Sequence, residues 1–103
     1  MKLEEYIEKL EQERVKTRFA NLARICQEHF GNPRIKGSHH IFKMPWAGDP
    51  RINLQEVKGY AKPYQVDQVV DALLRLQEMQ ELEKQRLKQK AAQAKGEGRY
   101  VTE

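Results

Sequence analysis

Two adjacent histidines, His39 and His40, stand in the short basic stretch "KGSHHIFK". An unperturbed imidazole titrates at a pH of about 6.5, so a histidine can take a proton from a hydroxyl group at neutral pH. Lys43 ends this stretch, and Arg51 follows the turn "PWAGDP". A nearby cation can hold a phosphate and stabilise the charge that develops on it. These residue types are sufficient to cut RNA without a metal, with the 2′-hydroxyl as nucleophile and the phosphodiester as substrate.

The two histidines should point to opposite faces of a strand, because side chains alternate along a strand. His40 shares its face with Phe42 and Met44, which are the better candidates for a side covered by helices. His39 then lies on the open side of the sheet with Lys43. In "RINLQ" the same alternation assigns Ile52 and Leu54 to the core, and Arg51 and Asn53 to the open side. We therefore predict that His39 is the catalytic histidine, with His40 as the second choice.

A metal site is the alternative interpretation of these residues. Cys26 and His29 lie three residues apart on one predicted helix, and the two adjacent histidines follow. Adjacent strand histidines cannot easily bind one ion, and Cys26 lies on an apolar stripe, where a free cysteine packs as a small core residue. We expect neither a metal nor a cofactor. A single cysteine also excludes a disulfide within the chain.

The periodicity of apolar residues predicts the elements that must position the histidines. Helical spacing predicts a short N-terminal helix up to about Val15 and a second helix from Thr17, its expected N-cap, to Phe30. Three short strands follow, and Pro63 suits the first turn of a long last helix. Three strands need a cover on one face, so both later helices should pack on the same side. The prediction is a two-layered α+β fold.

Composition limits the class of protein. The chain has 103 residues, 33% of them charged, and a formal net charge of +4, which suits one small domain and a polyanionic partner. No apolar run reaches the roughly 18 residues of a membrane span. The first residues, "MKLEEYIEKL", are acidic where a signal peptide would be apolar. We expect a cytoplasmic protein without a membrane partner.

Aromatic residues near the turn and before the last helix allow two interpretations. Trp46 and Tyr60 could stack on nucleic-acid bases. We favour a packing role for Trp46, at the edge of the core beside the turn. Tyr64, at the start of the last helix, is also predicted to pack.

The segments "KGSHHIFKMPWAGDPRINLQ" and "KGYAKPYQVDQVVDALLRL" together resemble the HicA family of toxins from bacterial toxin–antitoxin pairs. The resemblance covers roughly residues 18–77. It lies in a Gly-Ser-His turn that leads into a strand with an aromatic residue, then a second short strand, then Lys62 and Pro63 before the last helix. His39 stands three residues before the aromatic Phe42, the spacing that many members of the family have.

The resemblance implies a fold like the double-stranded-RNA-binding domain, helix–three strands–helix. It also implies the toxin of a type II toxin–antitoxin system, a metal-independent ribonuclease (an mRNA interferase) that a HicB-like antitoxin protein blocks. A strand histidine would act as general acid or base on mRNA. The residues expected to contact RNA are Lys36, Ser38, Lys43, Arg51 and Lys62.

The chain is longer than many members of that family. We expect an extra N-terminal helix over 1–16, the HicA-like core domain over 17–79, and an extended helical and flexible tail over 80–103. The terminal helices offer surfaces for a homo-oligomer, for the antitoxin or for RNA. They also favour the alternative hypothesis, a non-catalytic RNA-binding or protein-assembly module of the same fold.

Overall fold

The computed structural model describes residues 2–102 of the chain and the side chains of residues 2–93. It is a small α+β fold with the element order α-α-β-β-β-α. The bounds are α1 (Leu3–Gln12), α2 (Phe19–Phe30), β1 (Arg34–Lys36), β2 (His39–Lys43), β3 (Arg51–Gln55) and α3 (Pro63–Thr102). The α+β class predicted from the apolar periodicity is confirmed.

The three strands form one antiparallel sheet in the order β1-β2-β3. In the register of the central strand, His39 pairs with Lys36 on one side and with Gln55 on the other. Gly37 makes the tight turn between β1 and β2 with a φ of 61°, a left-handed conformation that glycine adopts without steric cost. The turn therefore places Ser38 and His39 directly at the start of β2.

The core lies between one face of the sheet and the two later helices. Phe42 and Leu54 are almost fully buried from the sheet side, and Met44 and Ile52 are buried beside them. From the helix side, α2 and α3 contribute a second set of fully buried side chains, Leu22, Ile25, Cys26, Val66, Val69 and Leu73. The alternation predicted for β2 and β3 is confirmed, and His39 lies on the opposite, uncovered face.

Thr17 does not cap α2, so that prediction is wrong. The N-cap is Arg18, which makes no side-chain capping bond. Thr17 is instead buried, and its hydroxyl donates to the backbone carbonyl of Glu13 at 2.8 Å. Its own carbonyl accepts a hydrogen bond from the amide of Ala61. These two contacts link the segment after α1 to the segment that precedes α3. Tertiary contacts, and not a local capping preference, therefore decide the position of Thr17.

The N-terminal helix packs against α3 and touches α2. The Tyr6 hydroxyl donates to a carboxylate oxygen of Glu28 on α2 at 2.8 Å. Arg14, just after α1, forms a bidentate ion pair with Asp67 on α3, with N–O distances of 2.7 and 2.8 Å. Exposed ion pairs of this kind add little stability, so the buried apolar residues of α1 must supply most of the attachment.

The last helix runs far beyond the core. Its last fully buried residue is Leu73, whereas Leu82 and Leu87 are 65% and 56% exposed. The molecule measures 70 × 28 × 18 Å as a result. The last part of the expected tail over 80–103, from residue 94 on, lies among residues whose side chains are not described. Within the described residues, no helix combines the length and apolarity needed to cross a bilayer.

Candidate active site

A shallow cavity of about 200 Å³ opens between β3 and the first turns of α3, and His39 lies at its wall. Its size is below that of pockets that enclose a whole small molecule. A long substrate would therefore lie across it, with one group entering. The other lining residues are polar or aromatic: Arg51, Asn53, Gln55, Tyr64, Gln65 and Gln68.

Asn53 fixes the orientation of the His39 ring. The Nδ1 atom of His39 lies 2.9 Å from the Oδ1 atom of Asn53. An amide oxygen only accepts hydrogen bonds, so Nδ1 carries the proton and donates it. In the neutral ring, Nε2 then has a lone pair, the state that a general base requires. Among the described residues, Nε2 has no hydrogen-bond partner of its own.

Gln55 connects the cavity to the helix behind it. It stands opposite His39 in the sheet, and its side-chain amide donates to the Ser38 hydroxyl at 3.1 Å. One orientation of the buried Gln65 amide satisfies both of its polar atoms. In it, the side-chain nitrogen donates to the backbone carbonyl of Gln55 at 3.3 Å, and the side-chain oxygen accepts from the backbone N–H of Gln55 at 3.1 Å. This bridge holds the start of α3 against the edge of β3.

The predicted RNA contacts are brought together only in part. Lys36 is the cross-strand neighbour of His39, and Arg51 lines the cavity with it. Lys43 lies at the far end of β2, four residues from His39, which is about 13 Å along the strand. Arg51 is the cross-strand partner of Lys43, so its backbone lies equally far along the sheet, but only the Arg51 side chain lines the cavity with His39.

Asp49 pairs with the cations at that end of the sheet. Its carboxylate accepts a hydrogen bond from Arg51 at 2.9 Å and lies 4.0 Å from the Lys43 ammonium group. The Arg51 guanidinium holds the pKa of this carboxyl below its ordinary value, with a smaller effect from Lys43. Both groups of the Arg51 pair are exposed, so an incoming phosphate can displace it at small cost.

Tyr64 does not pack into the core, so that prediction is wrong. Its side chain is 53% exposed and lines the cavity. The Lys62 ammonium group lies 5.9 Å from the centre of its ring, which brings this predicted RNA contact to the border of the site. A tyrosine in the first turn of a helix can face the core or the solvent, and periodicity alone could not distinguish them.

The second histidine lies on the other side of the sheet. His40 makes an edge-to-face contact with Phe19 of α2, with the ring centres 5.0 Å apart. The residues considered for a metal are also separate: Cys26 is buried, and His29 Nδ1 lies 2.8 Å from the Ile25 carbonyl oxygen. In the described part of the chain, no three His, Cys, Asp or Glu side chains are grouped to hold a metal ion.

The aromatic residues near the turn divide between packing and exposure. Trp46 is half-buried, packs against the core and contacts Phe30 edge to face, which agrees with its predicted packing role. Its ring also carries the guanidinium of Arg75 at 4.8 Å from the centre. Tyr60 is 39% exposed, and the guanidinium of Arg18 covers it at the same distance.

Comparison of the chain with models of protein families, with curated proteins and with solved structures finds no match.

Proposed function

We propose that this chain is a metal-independent endoribonuclease with His39 as its general base. One observation carries the proposal: Asn53 holds the Nδ1 side of the His39 ring, no described residue bonds Nε2, and His39 lines a cavity together with Arg51. The resemblance of the "GSHH" segment to the HicA family supports the same activity. On that resemblance, the substrate is mRNA and the protein is the toxin of a toxin–antitoxin pair.

The reaction follows from the positions of these groups. His39 Nε2 takes the proton of an RNA 2′-hydroxyl, and the freed O2′ attacks the neighbouring phosphorus. The bond from phosphorus to the 5′ oxygen breaks, which leaves a 2′,3′-cyclic phosphate and a free 5′-hydroxyl. The departing oxygen takes its proton from water or from the Tyr64 hydroxyl. Arg51, once released from Asp49, stabilises the charge on the phosphate.

The shape of the site favours flexible RNA as the substrate. The cavity is open and shallow, so the RNA lies across it and only the scissile group enters. In-line attack by a 2′-hydroxyl requires a backbone that can rotate, which favours single-stranded segments. The succession of α2, three antiparallel strands and α3 supports a fold like the double-stranded-RNA-binding domain for the core over 17–79.

A HicB-like antitoxin is the partner that the resemblance supports. A protein that covers the open face of the sheet would meet a basic surface, because the thirteen strand residues include four Lys and Arg side chains and no acid. We therefore expect a partner with an acidic contact surface. The proposal places the protein in the cytoplasm, where mRNA is available.

The test is cleavage of an end-labelled RNA in EDTA by the wild type, His39→Ala and His40→Ala. Wild type should cut, and His39→Ala should be slower by roughly 10²- to 10⁴-fold, the usual contribution of general acid–base catalysis. His40→Ala is the matched control, because it removes the same group from the covered side of the sheet. It should keep most of the activity.

Three results would contradict the proposal or part of it. Loss of activity in EDTA would overturn the metal-independent mechanism. Loss of activity only in His40→Ala would keep the ribonuclease but overturn His39 as the base. Binding of RNA by the wild type without cleavage would favour the non-catalytic module, for which the basic face and the projecting helix are suited.

A further inference from the structure

A second cavity, of about 280 Å³, continues the groove between β3 and α3 away from His39. It shares Arg51 and Gln68 with the first cavity, so the two form one path along the surface. Tyr64, Gln68, Asp71 and Arg75 follow each other along α3 at intervals of three or four residues. They therefore form one stripe, about 16 Å long, that borders the path.

The second cavity differs from the first in its floor. Met44, Ile52 and Ala72 are buried apolar residues there, and the half-buried Trp46 stands beside them. The Arg75 guanidinium makes a cation–π contact with the Trp46 ring, 4.8 Å from its centre. Planar aromatic and guanidinium groups over an apolar floor are the surfaces on which unstacked RNA bases bind.

Asp71 is the acidic residue that lines this cavity. Among the described residues, Asp71 takes part in none of the ion pairs, although Arg75 lies one turn away. A carboxylate repels phosphate, so this end of the path suits the edge of a base better than the RNA backbone. The ionised Asp71 carboxylate accepts hydrogen bonds and cannot donate them.

Guanine is the base that matches a carboxylate best. Its Watson–Crick edge presents two neighbouring N–H donors, which a carboxylate can accept together. Adenine, cytosine and uracil each present an acceptor where the second donor would be needed. We propose that the second cavity is a guanine-binding subsite, in which the base lies against Trp46 and Arg75 and its edge meets Asp71. This inference rests on the proposed function, because it names the nucleotide bound beside the scissile phosphate.

The first experiment measures nucleotide binding without cleavage. Trp46 is the single tryptophan of the chain, so its intrinsic fluorescence reports directly on the subsite. The full-length protein is titrated with guanosine 3′-monophosphate and adenosine 3′-monophosphate. Wild type should prefer the guanosine compound by about tenfold or more, the discrimination that a two-pronged base contact gives. Asp71→Asn should lose most of that preference.

Asp67→Asn is the matched control. It removes the same charge from the same helix, but Asp67 faces Arg14 and lines neither cavity of the groove. It should keep the preference for guanosine. A preference that falls equally in both variants would show an effect of overall charge and would overturn the subsite. Equal affinities of the wild type for the two nucleotides would also overturn it.

Cleavage separates this inference from the proposed function. If the wild type cuts RNA beside any base and its fluorescence does not respond to nucleotides, the subsite is wrong and the ribonuclease stands. If guanosine binds with the expected dependence on Asp71 and no RNA is cut, the subsite stands and the ribonuclease is wrong. Preferred cutting next to guanine, lost in Asp71→Asn, supports both.

Discussion

At the scale of single residues, the contact between Asn53 and His39 is the most informative feature of the cavity. Asn53 lies two residues from the partner of His39 in the sheet, on the same face, and its Oδ1 accepts a hydrogen bond from His39 Nδ1 at 2.9 Å. Neither residue is fully buried, so packing alone does not hold the ring. The hydrogen bond therefore decides which ring nitrogen carries the proton in the neutral state.

We predict that Asn53→Ala lowers the cleavage rate by on the order of tenfold or more, because the ring loses its orienting partner. Asn53→Asp should keep most of the cleavage activity that Asn53→Ala loses, since a carboxylate also accepts a hydrogen bond from His39 Nδ1. The measurement is the rate of RNA cleavage as a function of pH. A carboxylate beside the ring favours its charged form, so the Asn53→Asp profile should move to higher pH.

A purely structural role for Asn53 would give a different result. Both variants would then lose activity with their stability, and the pH profile of whatever activity remained would not move. The thermal unfolding midpoint of each variant is the control for this case.

The alternation of side chains along β2 and β3 made part of this site predictable. It assigned His39, Arg51 and Asn53 to one face because a strand has only two faces. It did not include Tyr64 or Gln65, because these residues come from a helix whose rotation about its axis is fixed by the core. The cap predicted at Thr17 is wrong for a related reason. The capping preference of threonine is local, and the contact with Ala61 is tertiary.

At the scale of elements, α2 shows how burial changes the chemistry of a residue. Cys26 lies on the apolar stripe of α2 and is fully buried in the core. Burial raises the pKa of its thiol from the ordinary value of 9.0 to about 12. The unfolded chain therefore loses the thiol proton at a lower pH than the folded chain.

We predict that this difference lowers the stability of the wild type as the pH rises from 9.0 towards 12. The contribution is fully present below pH 9.0 and is lost above it, at up to about 1.4 kcal/mol per pH unit. Cys26→Ala should show a shallower loss over the same range. Urea unfolding of both proteins at several pH values gives the two free energies of unfolding. The titration of lysine and tyrosine cancels in the difference between the two proteins. Parallel curves would contradict the prediction.

The elements themselves were the more predictable part of the fold. Gly31 ends α2 with a φ of 90°, directly after the predicted last residue Phe30, and Pro63 opens α3 as predicted. Periods of two and of 3.6 residues distinguish strands from helices, and covering three strands requires two helices on one side. The bridge from Gln65 to the Gln55 backbone has no such signal, because it depends on the register between a helix and a strand edge.

At the scale of the whole molecule, the length of α3 dominates the shape. The Cα radius of gyration is 18.7 Å, whereas a compact domain of this length has a value of about 13 Å. The cause is the part of α3 beyond the core, which carries exposed Leu82 and Leu87 among charged residues. Whether this part mediates self-association stays a prediction.

We predict that a chain ending at Arg86 keeps its thermal unfolding midpoint and loses about 25 Å of its maximum dimension, since each helical residue adds about 1.5 Å. Small-angle X-ray scattering of both chains measures the change, and calorimetry measures the midpoint. The break lies beyond Lys84, the last α3 residue that borders α1. Equal maximum dimensions would contradict a projecting helix. Scattering at several concentrations separates shape from self-association.

The same helix that projects also forms one wall of the groove. Between Tyr64 and Lys95 it contains neither proline nor glycine, the residues at which helices most often bend. The helix should therefore move as one rigid element. Its first turns lie beside His39 and Trp46, and its later turns are exposed to solvent. A partner that tilts the exposed part by a few degrees would widen or narrow the groove without touching any residue that lines it.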